Sequence, residues 1–187
     1  GSVCLQGQIT GSGATPPIAA VRFESQPGLV WSASDLIGLM LSGSAANDKI
    51  TGISDIANAI NGAAGNDTLT GGSRADTIDG GSGDDVLAGG AGADTYIFGY
   101  GSGTDRLHDL DGANANVLQL KSGVTQSNVR LVRTGEDSSG AMRANDSLVV
   151  VLSGSGEQIW IDEFFQPGGG GTLASIRFAD GSMLDVK

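Results

Sequence analysis

The chain has 187 residues, enough for one domain or two small ones with a hydrophobic core. Glycine contributes 32 residues, about 17%, against a usual share of about 7%, which excludes an ordinary helical bundle. Acidic residues outnumber basic ones 21 to 10, for a net charge of −11, and 17 of the acids are Asp. So few basic residues, with no basic run among them, argue against nucleic-acid binding. Asp is the short carboxylate that suits turns and cation sites.

Simple counts exclude two further classes of protein. The single cysteine, Cys4, can form neither an intrachain disulfide nor a cysteine-rich zinc site. The longest apolar run, at 36–41, is far shorter than the roughly 18 residues that a membrane-spanning helix needs. We therefore expect no disulfide framework and no transmembrane segment.

The first 40 residues echo the end of the chain. IAAVRFESQPGLV at 18–30 and LASIRFADGSML at 173–184 share an Arg-Phe pair at 22–23 and 177–178. One interpretation is that residues 1–40 are a β-strand tail, the end of a preceding tandem unit, and that 41–187 are a complete following unit. Neighbouring domains of a longer protein would then be partners. The alternative is that two strands share a short apolar pattern by chance.

A nine-residue repeat runs from 43 to 97. Its clean copies are GAAGNDTLT (62–70), GGSRADTID (71–79), GGSGDDVLA (80–88) and GGAGADTYI (89–97), and a looser copy is GSAANDKIT (43–51). Between them, GISDIANAIN (52–61) is interpreted as a degenerate copy with one inserted residue, with Ala57 or Asn58 where Asp is expected. The glycines allow a tight turn, and the last three residues of each copy form a short strand. Two copies therefore make one coil of two strands and two turns.

The repeat places apolar side chains and carboxylates at fixed positions. The inward-pointing positions, one large side chain per strand, form a thin core that burial alone should hold poorly: Ile50, Leu69, Ile78, Leu87 and Tyr96. The sixth position carries a carboxylate in five copies: Asp48, Asp67, Asp76, Asp85 and Asp94. Because alternate copies return to one edge of the coil, Asp67 should lie above Asp85, and Asp76 above Asp94. Asp48 joins the first of these edges if the inserted residue is absorbed in the loop.

Stacked carboxylates at this spacing predict calcium. Adjacent coils lie about 4.8 Å apart and calcium–oxygen bonds are about 2.4 Å, so one ion fits between two carboxylates and turn carbonyls complete its shell. Magnesium fits less well because it needs a tighter octahedron. Residues 41–111 contain 11 Asp, no Glu and only three basic residues. Without cations this region should repel itself open, so calcium binding and folding should be one event.

Downstream of 112 the pattern changes to alternating apolar stretches. They predict strands at 117–120, 129–133, 147–152, 158–162, 175–178 and 183–186, with a loop at 167–171 and no long helix.

His108 is the only histidine, which excludes a three-histidine zinc site and leaves only this residue for a Ser-His-Asp site. We expect His108 to be structural or on the surface, and no catalytic site.

The four consecutive nonapeptides resemble the repeats-in-toxin (RTX) nonapeptides of bacterial secreted proteins. The segments DTYIFGYGSGTD (94–105), SLVVVLSGSGEQIWIDEFF (147–165) and IRFADGS (176–182) resemble the haemolysin-type calcium-binding-related domain that follows such arrays. The resemblance implies an all-β fold, with a right-handed parallel β-roll (β-helix) at 41–106. A β-rich, mostly antiparallel capping region would follow at 107–187.

The resemblance also implies which residues bind calcium. Its ligands come from repeat positions one, two, four and six, here Gly62, Ala63, Gly65 and Asp67; Gly71, Gly72, Arg74 and Asp76; Gly80, Gly81, Gly83 and Asp85; Gly89, Gly90, Gly92 and Asp94. Arg74 replaces the expected glycine, which weakens its site, although its carbonyl remains available. Asp105 would cap the edge of Asp85. Asp109 and Asp111 would either add to such a cap or be solvated loop acids.

Three functions are compatible with these features. The first is a non-enzymatic calcium-binding module of a large secreted bacterial protein, toxin-, haemolysin- or adhesin-like, that folds outside the cell after type I secretion. The second is the accessory domain of a secreted enzyme such as a lipase, protease or alginate epimerase. The third is an adhesive module that self-associates through the sheet at 112–187.

Overall fold

The structure is a computed structural model, and it describes residues 3–4, 20–23, 26–32, 41–109, 115–134, 146–165 and 173–186. For the first three of these ranges only the backbone is described. The chain divides into two compact units, Gly1–Met40 and Leu41–Lys187. Throughout the described ranges the regular elements are strands, apart from one short 3-10 helix at Gln126–Asn128. None of the described elements is a helix long and apolar enough to cross a membrane.

The first unit contains an antiparallel sheet of three strands. In spatial order these are β1 (Val3–Cys4), β2 (Ala20–Phe23) and β3 (Gln26–Ser32). Arg22 on β2 pairs with Val30 on β3. Arg177, its counterpart in the echoed segment, also lies in an antiparallel hairpin of the second unit, opposite Met183. The two segments therefore share a hairpin as well as an apolar pattern.

The second unit contains thirteen described strands in two sheets. They are β4 (Lys49–Thr51), β5 (Ala59–Asn61), β6 (Thr68–Gly72), β7 (Thr77–Asp79), β8 (Val86–Gly90), β9 (Thr95–Phe98), β10 (Thr104–Leu107), β11 (Asn116–Leu120), β12 (Val129–Thr134), β13 (Ser147–Leu152), β14 (Gln158–Ile161), β15 (Leu173–Arg177) and β16 (Met183–Asp185). One sheet has the order β12-β13-β14-β10-β8-β6-β4 and the other β16-β15-β11-β9-β7-β5.

From β4 to β11, successive strands alternate between the two sheets, which confirms the predicted coil. β4, β6, β8, β10 and β14 pair in parallel in one sheet, and β5, β7, β9, β11 and β15 do so in the other. Leu69 lies in register with Leu87, and Ile78 with Tyr96, because the offset between same-sheet repeats is two nonapeptides. The result is a β-roll of stacked coils.

The core is the column of apolar side chains between the two sheets. Most coil strands show the same pattern, in which the middle residue is buried and its neighbours face outward. The five predicted core residues, Ile50, Leu69, Ile78, Leu87 and Tyr96, are all at most 8% exposed. Leu107 and Leu118 continue the column on β10 and β11, and both are essentially fully buried.

Both sheets of the roll continue into the region downstream of residue 106. All six predicted downstream strands are present, and β13 has the predicted bounds. β14 and β15 extend the parallel sheets, whereas β12, β13 and β16 pair antiparallel at their ends, so the sheets are mixed. The predicted loop at 167–171 lies outside the described residues.

Candidate metal sites

The sixth residue of each repeat lies directly before a strand, so strand pairing brings these residues into two columns. We call the first edge the column of Asp48, Asp67, Asp85 and Asp105, and the second edge the column of Asn58, Asp76, Asp94 and Asn116. The predicted stacking of Asp67 with Asp85, and of Asp76 with Asp94, is present. So is the predicted position of Asp48, below Asp67 on the first edge.

Each column is held by main-chain hydrogen bonds. On the first edge the N–H of Asp48 donates to Asp67 Oδ1 at 2.8 Å, and the N–H of Asp67 donates to Asp85 Oδ1 at 2.8 Å. The N–H of Asp85 donates to Asp105 Oδ1 at 3.2 Å, so Asp105 caps this edge as expected. Because Oδ1 is fixed by the neighbouring coil, each carboxylate has a defined orientation.

The second carboxylate oxygen shows where a cation would fit on the first edge. Asp67, Asp85 and Asp105 are all about 1% exposed, and the Oδ2 atom of each is buried without a hydrogen-bond donor. An unsatisfied buried carboxylate oxygen costs free energy unless a proton or cation neutralises it. These three atoms are therefore the strongest structural indication of bound cations in the roll.

The first glycine of the repeat leaves room beside this oxygen. A Cβ added at Gly62 would collide with Asp67 Oδ2 and with the carbonyl oxygen of Gly80 in the next coil. At Gly80 it would likewise collide with Asp85 Oδ2. A carboxylate oxygen and a main-chain carbonyl oxygen thus border one small space, which is the hard-oxygen environment that calcium prefers.

At repeat position four, the backbone of Arg74 differs from that of the glycines in the other repeats. Gly65, Gly83 and Gly92 have φ values of 109°, 134° and 138°, a region that favours glycine. Arg74 is not among the residues with positive φ, so its turn has a different backbone path. Its carbonyl oxygen nevertheless approaches Gly92 of the next coil, where an added Cβ would lie 2.6 Å away.

At repeat position two, two main-chain carbonyl oxygens already accept one hydrogen bond each. The Ala63 carbonyl accepts from the N–H of Ser82, and the Gly72 carbonyl accepts from the N–H of Ala91, both at 3.0 Å. A carbonyl oxygen has two lone pairs, so each retains one acceptor position. These residues stay candidate ligands rather than assigned ones.

Asn58, not Ala57, occupies position six of the degenerate repeat. Its neighbour Ala59 pairs with Thr77, which places Asn58 opposite Asp76, and Asn58 is 4% exposed. The inserted residue therefore lies in the preceding turn.

Asn116 takes the equivalent position above Asp94, whose N–H donates to Asn116 Oδ1 at 2.7 Å. Asn116 is not among the residues predicted from the sequence, although it directly precedes a predicted strand.

Asp109 is a buried residue, so a solvated loop acid is the wrong alternative for it. It is 3% exposed and accepts hydrogen bonds from the Tyr96 hydroxyl at 2.5 Å and from Asn116 Nδ2 at 3.0 Å. The N–H of Gly89 donates to the Tyr96 oxygen at 2.7 Å. Burial and the adjacent Asp109 raise the pKa of Tyr96. The other candidate, Asp111, lies outside the described residues.

Burial dominates the electrostatics at the end of the first edge. It raises the pKa of Asp105 to about 8, and the neighbouring Asp85 adds to this shift. Burial also raises the pKa of Asp85, with Asp67 and Asp84 contributing repulsion. A bound divalent cation would lower both pKa values, because it favours the charged form of each carboxylate.

His108 contacts a different acid from its sequence neighbour Asp109. Its Nδ1 lies 3.1 Å from Asp162 Oδ2, and the Arg106 guanidinium donates to the same oxygen at 2.7 Å. These three residues, with Ser147 and Glu163, line a cavity of about 110 Å³. His108 is 52% exposed, in agreement with a surface role. Asp162 is 54 residues away in sequence, so no local pattern could have identified it.

In the described part of the chain no three or more His, Cys, Asp or Glu side chains converge as a metal site. A cation at the first edge would therefore depend on one or two carboxylates and several main-chain carbonyls. That composition suits calcium, which takes six to eight oxygen ligands in flexible geometry, and does not suit zinc. The buried Oδ2 atoms and the space beside the glycines fit calcium.

Comparison with known families agrees with this chemistry. Residues 61–96 match the model of the RTX calcium-binding nonapeptide repeat, in four copies, and residues 148–187 match that of the haemolysin-type calcium binding protein related domain. No curated protein matches the chain. The chain thus contains RTX repeats, and its β-roll is a structural, calcium-binding element.

Proposed function

We propose that this chain is a non-catalytic calcium-binding module of a large secreted bacterial protein of the toxin, haemolysin or adhesin kind. The β-roll folds when calcium binds outside the cell, after type I secretion. Neighbouring domains of the parent protein are its proposed partners. The observation that carries the proposal is the first edge, where three buried carboxylates each retain an oxygen without a donor.

The position-six Asp residues are the proposed side-chain ligands. Asp67 and Asp85 each offer one oxygen beyond the one that holds the ladder, and turn carbonyls of the glycine positions complete the coordination. The metal-free roll has little else to stabilise it. From β4 to β8 its core has one large buried apolar side chain per strand, and its carboxylates are stacked at the spacing of adjacent strands.

The direct test is a calcium titration followed by far-ultraviolet circular dichroism, with magnesium in parallel. We expect a cooperative gain of β signal with calcium alone. A variant with Asp67, Asp76, Asp85 and Asp94 changed to Ala should show none. The control changes four exposed aspartates to Ala, which removes the same charge: Asp55, Asp84, Asp180 and Asp185.

Either of two outcomes would overturn the proposal. One is a β spectrum that chelator and calcium leave unchanged. The other is loss of the calcium response in both variants alike, because net charge rather than position six would then control it.

A further inference from the structure

The turn that contains Asn58 is held together by hydrogen bonds of the Asn58 side-chain amide. The side-chain Nδ2 of Asn58 donates to the carbonyl oxygens of Ile53 and Ile56, at 3.0 and 3.1 Å, and to Asp76 Oδ1 at 2.8 Å. Its Oδ1 accepts from the N–H of Ile53 at 2.9 Å. The reverse orientation would set an amide oxygen against three acceptors, so the neighbours fix which atom is nitrogen.

This amide nitrogen lies where other turns have a carboxylate oxygen. A Cβ added at Gly52, the first residue of the degenerate repeat, would lie 2.7 Å from Asn58 Nδ2 and 2.9 Å from the Gly71 carbonyl oxygen. In the regular turn, a Cβ at Gly62 meets Asp67 Oδ2 and the Gly80 carbonyl oxygen instead. The space that is bordered by oxygen atoms in the regular turn is thus bordered by an N–H donor at Asn58.

The facing carboxylate is also satisfied by the protein itself. Asp76 Oδ1 accepts from the main-chain N–H of Asn58 at 2.7 Å as well as from its side chain. Asp76 Oδ2 faces the next space along the edge, beside Gly71 and the Gly89 carbonyl oxygen, and accepts from the N–H of Gly72 at 2.6 Å. Asp67 and Asp85, by contrast, each keep a buried Oδ2 without a donor.

We propose that the turn pair 52–58 and 71–76 takes no calcium ion, because the Asn58 amide occupies the cation position and supplies donors to the oxygens that would otherwise bind the ion. Asn58 is then the residue that determines where along the roll calcium binds. The inference rests on the proposed calcium-binding function. It predicts a metal-independent layer beside the calcium-dependent first edge.

The test is the number of calcium ions bound per chain, measured by equilibrium dialysis on the wild-type chain, Asn58→Asp and Asn66→Asp. A carboxylate at 58 would face the Ile53 and Ile56 carbonyls and Asp76, which together form a hard-oxygen site. We therefore expect Asn58→Asp to bind one calcium more than wild type. Asn66→Asp is the control: it makes the same charge change at an exposed turn residue directly before Asp67, and this variant should bind the wild-type number.

A second measurement needs no variant. In the calcium-saturated wild-type protein the Asn58 side-chain NH2 protons should exchange slowly with solvent, because all their acceptors remain in place. Rapid exchange on adding calcium, or an unchanged stoichiometry in a folded Asn58→Asp variant, would overturn the inference. Wild-type protein that binds no calcium would instead contradict the proposed function, so the two failures are distinguishable.

Discussion

At the scale of single residues, the roll depends on pairs of a glycine and an aspartate within one turn. The first glycine gives the position-six carboxylate its space, and the main chain of the neighbouring coil holds the carboxylate in place. In this arrangement a carboxylate oxygen is buried without a hydrogen-bond donor, which costs free energy unless a cation or proton neutralises it. Small changes at these positions should therefore affect calcium binding more than overall packing.

Gly62→Ala tests the space beside the carboxylate. The added Cβ collides with Asp67 Oδ2 and with the Gly80 carbonyl oxygen, so we expect a loss of about 1–3 kcal/mol in stability together with weaker calcium binding, measured by calorimetry. Gly154→Ala is the control. Gly154 has a φ of 100° and nothing within 4 Å of its added Cβ, so this change strains the backbone without approaching a carboxylate. Calcium affinity that falls equally in both variants would contradict the account.

Asp105 makes the calcium-free chain sensitive to pH. Its pKa is raised to about 8 in the fold and is about 3.9 in an unfolded chain, so the fold favours the protonated form. This contribution to stability is fully present below about pH 4. It decreases by up to about 1.4 kcal/mol per pH unit as the pH rises from there, and it is lost once the pH has passed through 8. Asp85 and Asp84 raise the pKa further, and Lys121 opposes them.

In chelator, acidification from pH 8 to pH 5 should therefore increase the β signal in circular dichroism. Asp105→Asn carries no charge at either pH, so it should show a smaller pH response and more β signal than wild type at pH 8. Identical pH responses in the two proteins would mean that Asp105 is not the group responsible.

At the scale of elements, the C-terminal strands close the roll as part of its own sheets. β14 and β15 pair in parallel with β10 and β11, and the β12–β13 hairpin and β16 complete the two sheets. Near the end of β12 and the start of β13, Arg133 and the fully buried Asp146 form an ion pair that joins these two strands, with a shortest nitrogen–oxygen distance of 2.5 Å. The open edge of the last coil is thereby covered, which reduces the risk of edge-to-edge association.

Leu152→Ala tests how much this cap contributes. Leu152 on β13 is fully buried, so the cavity should lower the free energy of unfolding by about 2–5 kcal/mol in saturating calcium, measured by urea unfolding. Leu131→Ala on the neighbouring β12 is the matched control. Leu131 is 40% exposed, and its loss should cost less than about 0.5 kcal/mol. Equal costs for the two variants would indicate that the hairpin is not part of the folded core.

The nine-residue spacing predicted most of the roll, because a strict repeat fixes strand pairing and the stacking of core residues at once. It could not distinguish Ala57 from Asn58 at position six, since an inserted residue can be absorbed before or after the turn. Alternating apolar residues at 158–161 predicted a strand but not its parallel pairing, because alternation is the same in both kinds of sheet. The contact of Asp162 with His108 arises only from that pairing.

At the scale of the whole molecule, negative charge is concentrated where apolar burial is thinnest. Eleven aspartates lie within residues 41–111, against three basic residues. A cation is the simplest compensation, and the coupling of its binding to folding makes the external calcium concentration a folding signal. The Asn58–Asp76 pair of the second edge depends less on that signal, because Asn58 and Gly72 supply donors to Asp76 from the protein itself.

The most direct test of the account is the anomalous scattering of calcium in crystals of the calcium-loaded protein. We expect ions about 2.4 Å from the Oδ2 atoms of Asp67 and Asp85, with carbonyl oxygens of the glycine turns completing the shell. No ion is expected at Asn58. Calcium bound elsewhere, with these carboxylate oxygens still uncoordinated, would contradict the central claim that the stacked position-six aspartates bind the ions that hold the roll together.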